Sequence, residues 1–279
     1  MAIIALLQPK YGPTSEKICI ATTHLIFSPK RGDVKLAQIQ KLLAHIDRIA
    51  FKRVQLVNNE IKIVYYPVIL CGDMNLTPNS TIYKFLTESE LLNYQQYCRK
   101  SLSGQFKHRN SSNSLMNRPI MPEVMQINDH SIFKTDLNKR FEEFTARLNQ
   151  MESKHKTYLE YGSENLYHTF KFKSAYELKC FGEQPNNDVT TALPKNHEKV
   201  DYIFYHEIEE DNDESGEVNE DKYGDDAYLK LNSVLNLYQK DDIENLYFPS
   251  RHIPSDHFIL SAKFSLLYKT PKTEQLSKL

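Results

Sequence analysis

Six side chains of this 279-residue chain are of the types that handle phosphate esters: His24, Asp73, Asn75, Asp201, Asp256 and His257. Carboxylates supply hard oxygen ligands for a divalent cation and a base for water. Imidazoles and an amide supply donors for the charge that develops on a phosphoryl group. Asp73 and Asn75 stand two residues apart in CGDMNLTPNS, directly after the apolar run Val68-Ile69-Leu70-Cys71 and Gly72. Taken singly, each residue has an ordinary structural use. Asp and Asn after Gly are standard turn residues, Asp201 suits a satisfied buried carboxylate, and Ser255-Asp256-His257 suits a turn. Taken together they mark the ends of separate strand-like segments, and loops at strand ends are where such proteins usually carry chemistry.

The elements that must position them are read from hydrophobic pattern. Ala2 to Leu7 and Ile18 to Leu25 are short apolar, β-branched runs around a turn at Tyr11-Gly12-Pro13, so a hairpin is expected. Leu36, Ile39, Leu43, Ile46 and Ala50 recur at helical steps, predicting an amphipathic helix over about 34–52 with Asp33 as its cap. Tyr66 to Cys71 reads as a buried strand. Thr77 as cap and Pro78 as first helical residue predict a second helix ending near Glu90. Tyr167 to Tyr176, Val200 to Tyr205, Leu229 to Leu237 and Phe258 to Leu267 read as later strands that follow one another without helices. That order favours an α/β sandwich of mixed sheets over a doubly wound fold. One domain is expected over 1–279, with surface insertions at about 105–164, including an exposed helix over 138–156, and at 206–227.

Composition is that of a globular chain, 40% hydrophobic and 25% charged. Four widely spaced cysteines form no C-x-x-C pair, so free thiols are expected rather than disulfides or a zinc site. MAIIALLQPK has too short an apolar run and no basic lead for a signal peptide, and no segment approaches a membrane span. The expected setting is intracellular and reducing, cytoplasmic or also nuclear. Net charge conceals an asymmetry. The whole chain carries −1, but Glu207 to Asp226 holds eleven acids against Lys222, so the remainder carries +9. Such a body suits a polyanion, as it also suits a generally solvated basic surface.

In order along the chain, HLIFSPKRGDVKLAQ, CGDMNLTPNS, VTT with VDYIFY, and PSDH resemble the endonuclease/exonuclease/phosphatase superfamily, and within it the Angel homologs of the deadenylase- and nocturnin-related branch. The resemblance implies a DNase I-like four-layer α/β sandwich of mixed sheets flanked by helices. It implies an Mg²⁺-dependent (or Mn²⁺-dependent) phosphoesterase acting on RNA, either a 2′,3′-cyclic phosphatase or a 3′-to-5′ exoribonuclease. Carried over, Asp73 activates water, Asn75 holds a phosphate oxygen, and Asp201 orients His257, whose imidazolium stabilises the phosphate. Asp256 helps hold Mg²⁺ and His24 contacts the scissile phosphate. Translation or mRNA-processing factors are implied as partners. The family pattern begins earlier, with an Asn and a metal-ligand Glu that have no counterpart here. The expectation is therefore an N-terminally incomplete domain, a piece of a longer enzyme, with a catalytically inactive scaffold binding RNA or protein as the alternative. A lipid or inositol phosphatase is a weaker third reading, disfavoured by RGDVKLAQ and VDYIFY.

Overall fold

The computed structural model describes residues 1–11, 16–57, 60–78, 80–99, 101–105, 120–145, 164–176, 188–193, 196–206, 226–243, 246 and 248–267. Residues 207–225 of the expected acidic loop, and residues 106–119 and 146–163 of the expected 105–164 insertion, lie outside these residues.

In chain order the elements are β1 (Ala2–Leu7), β2 (Ile18–His24), α1 (Gly32–Ala50), β3 (Phe51–Val57), β4 (Glu60–Tyr65) and β5 (Val68–Asp73). There follow α2 (Thr81–Glu88), β6 (Glu90–Leu91), α3 (Lys134–Thr145), β7 (Leu166–Tyr167), β8 (Phe172–Ser174), β9 (Asp188–Val189), β10 (Thr191–Leu193) and β11 (Asn196–Glu198). The chain then gives β12 (Asp201–His206), β13 (Tyr228–Val234), β14 (Tyr238–Gln239), α4 (Lys240–Ile243) and β15 (Ala262–Leu267). This is an α/β fold. Its centre is a mixed five-stranded sheet in the order β1-β2-β5-β12-β8, in which only β2 and β5 run parallel.

The pleat decides what each face of that sheet does, because successive side chains alternate. Cys19 and Ala21 of β2, Val68 and Leu70 of β5, and Tyr202 and Phe204 of β12 share one face and are buried. Leu36, Ile39, Leu43 and Ile46 of α1 and Ile82, Phe85 and Leu86 of α2 join them in one apolar core. On the opposite face Tyr205 of β12 meets Phe264 of β15, with ring centroids 5.3 Å apart. Helices thus cover one face, and the β13–β15 pair reaches the other.

Several boundaries differ from the pattern reading, each for a local reason. Helix α1 starts at Gly32 with Arg31 as its cap residue, and Asp33 lies inside the first turn paired to Arg31 at 3.1 Å. Helix α2 is capped by Ser80, whose Oγ accepts the N–H of Tyr83 at 3.1 Å, while Thr77 lies three residues earlier with its N–H and hydroxyl both on the carbonyl of Ser103. The segment after Ala50 forms a β3–β4 hairpin rather than an extension of the helix. Helix α3 begins earlier than the predicted helix and is tied to α1 through Arg140 and Asp47, 2.9 Å apart. The predicted strand at 167–176 is two short strands, β7 and β8. Cys19, Cys71 and Cys98 are free thiols, and burial pushes that of Cys19 up to about 12. No helix among the described residues is long and apolar enough to cross a membrane.

Candidate active site

Three of the six residues occupy one lateral row of the sheet. His24 ends β2, Asp73 ends β5 and Asp201 begins β12. The register sets His24 beside Asp73 and Asp73 opposite Asp201. All three project from the face away from α1 and α2, by the alternation that buries their neighbours. The close approach of β2 and β5 at this row depends on Gly72, which has φ +136°. A Cβ there would stand 1.9 Å from the carbonyl oxygen of Thr23.

Asp73 is held by the residue two positions on. Its Oδ1 accepts the backbone N–H of Asn75 at 2.8 Å, and Oδ2 accepts from Asn75 Nδ2 at 3.2 Å. Asn75 adopts φ +49°, the left-handed conformation that Asn tolerates better than most residues. The same amide donates to the Leu25 carbonyl at 3.1 Å, and the residue is only 3% exposed. The family resemblance implies an amide that holds a phosphate oxygen. In this structure that amide is turned inward, and it braces the carboxylate. His24 does face outward, with its side chain 68% exposed and Nε2 3.3 Å from Asp73 Oδ2.

His257 enters from the far end of the chain. Its Nδ1 lies 2.9 Å from Asp201 Oδ2, and its Nε2 is 4.0 Å from Asp73 Oδ2. The tripeptide Val189-Thr190-Thr191 makes this meeting possible. The hydroxyl oxygen of the fully buried Thr190 accepts the N–H groups of both Val200 and Asp201, at 2.9 and 3.0 Å. The Thr190 carbonyl accepts the N–H of Phe258 at 2.8 Å, and Thr191 forms a β-bridge with His257. Two consecutive threonines therefore splice the Asp201 strand to the His257 segment.

The charges interact as the distances require. Burial pushes the Asp73 carboxyl above the usual carboxylate range, and the like charge of Asp201 adds to this. The Asn75 N–H and the two imidazoles oppose it. The hydrogen bond that its Nδ1–H donates to Asp201 raises His257 above an ordinary imidazole, against the effect of its burial, and the carboxylates of Asp73 and Asp256 reinforce the rise. Ligand atoms of Asp73, Asp201 and His257 lie within 4.8 Å of one another. Two crowded carboxylates beside an imidazole fit a divalent cation, since a cation offsets the like charge of Asp201 that adds to the effect of burial at Asp73. The family resemblance implies that Asp256 helps hold the cation. Asp256 stands outside the three-residue cluster, and its backbone carbonyl accepts from Ala192 N–H at 2.8 Å and the Thr191 hydroxyl at 3.0 Å.

Two contributors carry no role in the sequence reading. Thr190 is one. Lys35 is the other: it is fully buried in α1 beneath the loop, its Nζ 2.7 Å from the Asn75 carbonyl and 2.8 Å from Gln105 Oε1. Gln105 passes the contact on to Glu198 at 3.2 Å. Burial lowers the ammonium to about 8, against the pull of Asp73 and Glu198. A lysine four residues before Ile39, on the apolar stripe of α1, was a visible signal. Thr190 had none beyond its place in VTT. Above the row lies a cavity of about 580 Å³ whose lining includes Ile3, Thr23, His24, Phe27 and Asp73.

No family model matches the chain. Among curated proteins it is 31% identical to Protein angel homolog 2 of Bos taurus over 271 residues, 95% of this chain and 47% of that protein. It is 36% identical to Protein angel homolog 1 of Homo sapiens over 136 residues, 46% of this chain and 19% of that protein. The crystal structure of ANGEL2, a 2′,3′-cyclic phosphatase, in complex with adenosine-2′,3′-vanadate matches with a TM-score of 0.67 and 29% identity. That match covers 94% of this chain and 60% of the ANGEL2 chain. The chain is homologous to the Angel homologs of the endonuclease/exonuclease/phosphatase superfamily. Its mixed sheet and flanking helices are the DNase I-like architecture of ANGEL2. It spans about half the length of the Angel homolog 2 proteins it matches.

Proposed function

We propose that this chain carries the phosphate-handling half of a metal-assisted phosphoesterase acting on RNA ends that bear a 2′,3′-cyclic phosphate. The observation that carries the reading is the row His24–Asp73–Asp201, closed by His257, in a homologue of a 2′,3′-cyclic phosphatase. A ligand built on the 2′ and 3′ oxygens of adenosine in that relative favours the cyclic phosphatase over exonuclease action.

Asp73 is the base. Asn75 holds its carboxylate in one orientation, so that it can receive the proton of a water lying over the row. Asp73 would take the proton of that water as the water oxygen bonds to phosphorus and one ribose P–O bond breaks, the freed ribose oxygen taking a proton from solvent and a phosphomonoester remaining on the other ribose oxygen. His257 carries a proton more readily than an ordinary imidazole, so Nε2–H donates to the phosphoryl oxygen that gains charge. Asp201 fixes the tautomer that leaves Nε2 facing the row. His24, exposed at the rim, contacts the same phosphate from the other side. A divalent cation, Mg²⁺ or Mn²⁺, would be held by the carboxylates of Asp73 and Asp201, with Asp256 at its border. When bound, it supplies Lewis-acid polarisation of the phosphoryl group.

The test is hydrolysis of an RNA oligonucleotide ending in a 2′,3′-cyclic phosphate, with Mg²⁺ and with EDTA. Asp73→Asn and His257→Asn are each expected to lower kcat by about 10²–10⁴-fold. Wild-type turnover of a 3′-hydroxyl poly(A) end in preference to the cyclic end would replace the cyclic phosphatase with the exonuclease. Turnover unchanged in both variants would remove the site assignment.

A further inference from the structure

The mechanism above leaves the buried charge of Lys35 unused. Lys35 is 0% exposed, yet it is a full side-chain cation set into the apolar stripe of α1 among Leu36, Ile39 and Leu42. Burying an ammonium costs several kcal/mol unless its protons find partners, and an apolar residue at the same stripe position would have none of that cost. The partners it finds are specific. One is the carbonyl of Asn75 at 2.7 Å, the second is Gln105 Oε1 at 2.8 Å, and Gln105 is itself fixed by Glu198 at 3.2 Å.

Asn75 is also the point at which the catalytic loop is most constrained. Its φ of +49° reverses the chain so that its N–H and its side-chain amide both point back at the Asp73 carboxylate. A left-handed residue outside glycine is a local cost that the surroundings must hold in place. Four bonds do so around this loop: Lys35 on the Asn75 carbonyl, Asn75 Nδ2 on the Leu25 carbonyl, the Leu25 N–H on the Asp73 carbonyl at 3.0 Å, and the Met74 N–H on the Val200 carbonyl at 2.9 Å. Of these, the bond from Lys35 alone is made by a charged donor, and such bonds are roughly twice as strong as neutral ones.

We infer that Lys35 is a positioning residue for the reaction: its ammonium clamps the Asn75 carbonyl from beneath the sheet and so fixes the direction in which Asp73 presents its carboxylate. It touches neither substrate nor reacting atoms. The inference rests on the phosphoesterase reading for its kinetic arm and on geometry alone for its structural arm.

The experiment uses the full chain with Lys35→Met, which keeps length without charge, and Lys35→Gln, which keeps a neutral donor. Hydrogen exchange of the Asn75 N–H is read by NMR beside that of Leu70 and Phe204 in the core strands. In Lys35→Met the Asn75 N–H is expected to exchange at least about tenfold faster with the core amides unchanged, the loss of roughly one charged hydrogen bond. On the cyclic-phosphate oligonucleotide kcat is expected to fall about tenfold or more with KM within about twofold, with Lys35→Gln between the two. Unchanged Asn75 exchange in Lys35→Met would overturn the inference. So would a loosened Asn75 with undiminished kcat, or loss of cooperative melting in both variants, which would make Lys35 a core residue. An unsubstituted chain that turns nothing over counts against the phosphoesterase reading only, and the exchange arm then decides Lys35 by itself.

Discussion

Asp201 Oδ2 lies 2.9 Å from Nδ1 of His257, a side chain 56 residues further along the chain. The pair exists because Asp201 opens β12 where Thr190 receives its backbone N–H, and because Thr191 bridges to His257. Asp201→Asn is expected to bring the imidazole back towards about 6.5, read from its ring-proton titration by NMR. The stability effect has a definite sign. A group whose folded pKa is raised stabilises fully below its unfolded pKa and loses that contribution as pH rises through the folded value. Asp201→Asn should therefore cost more stability at pH 6 than at pH 9. An equal cost at both would mean that the pair is held by geometry without charge.

Asp73 titrates against the same pair. Without a cation, Asp73 and His257 are both raised. Titrated by NMR in EDTA, the Asp73 carboxyl should have a midpoint above the ordinary aspartate value of about 3.9 and the His257 imidazole one above about 6.5. Asp201 contributes to both shifts, since its negative charge disfavours ionisation of Asp73 and favours protonation of His257. Asp201→Asn should move both midpoints to lower pH. A shift at Asp73 alone would detach His257 from Asp201.

What the sequence made legible follows from locality. His24, Asp73 and Asp201 could be placed at strand ends because each is preceded or followed by an apolar, β-branched run. A shared sheet then puts such ends in one row. The four-residue stripe of α1 was equally plain. Caps were not, because tertiary partners decide them: the Ser103 carbonyl draws in the hydroxyl and N–H of Thr77, Ser80 caps the helix instead, and Arg31 with Arg99 occupies Asp33. The inward turn of the Asn75 amide depends on the Leu25 carbonyl 50 residues away, and the splice by Thr190 on contacts to β12 and the His257 segment. Long-range partners of small polar groups leave no periodic trace.

Gly72 tests the close approach of β2 and β5. Its φ of +136° is disfavoured for any side chain, and an added Cβ would lie 1.9 Å from Thr23 O, a backbone atom with no rotamer to yield. Gly72→Ala is expected to destabilise by about 2–4 kcal/mol through strain and strand separation. Urea denaturation measures this. His24 and Asp73 are the residues carried apart, so activity should fall in the fraction that remains folded. A cost under about 0.5 kcal/mol, the level of an ordinary surface change, would mean that the strands shift freely there.

Thr190 is the most economical probe of how the site is assembled. Its side chain is fully buried and its oxygen is the acceptor for two backbone N–H groups, those of Val200 and Asp201. Thr190→Val preserves shape and apolar packing but removes that acceptor. Each buried donor left without a partner costs about 1–3 kcal/mol, so the variant is expected to lose roughly 2–5 kcal/mol by urea denaturation. Thr190→Ser returns the oxygen and should recover most of it. The more specific consequence lies at His257. If Thr190 sets the place of Asp201, its replacement by valine should lengthen the Asp201–His257 contact and lower the imidazole pKa even in folded protein, while serine leaves it raised. Loss of stability with an unaltered His257 titration would show that Thr190 supports β12 without steering the pair.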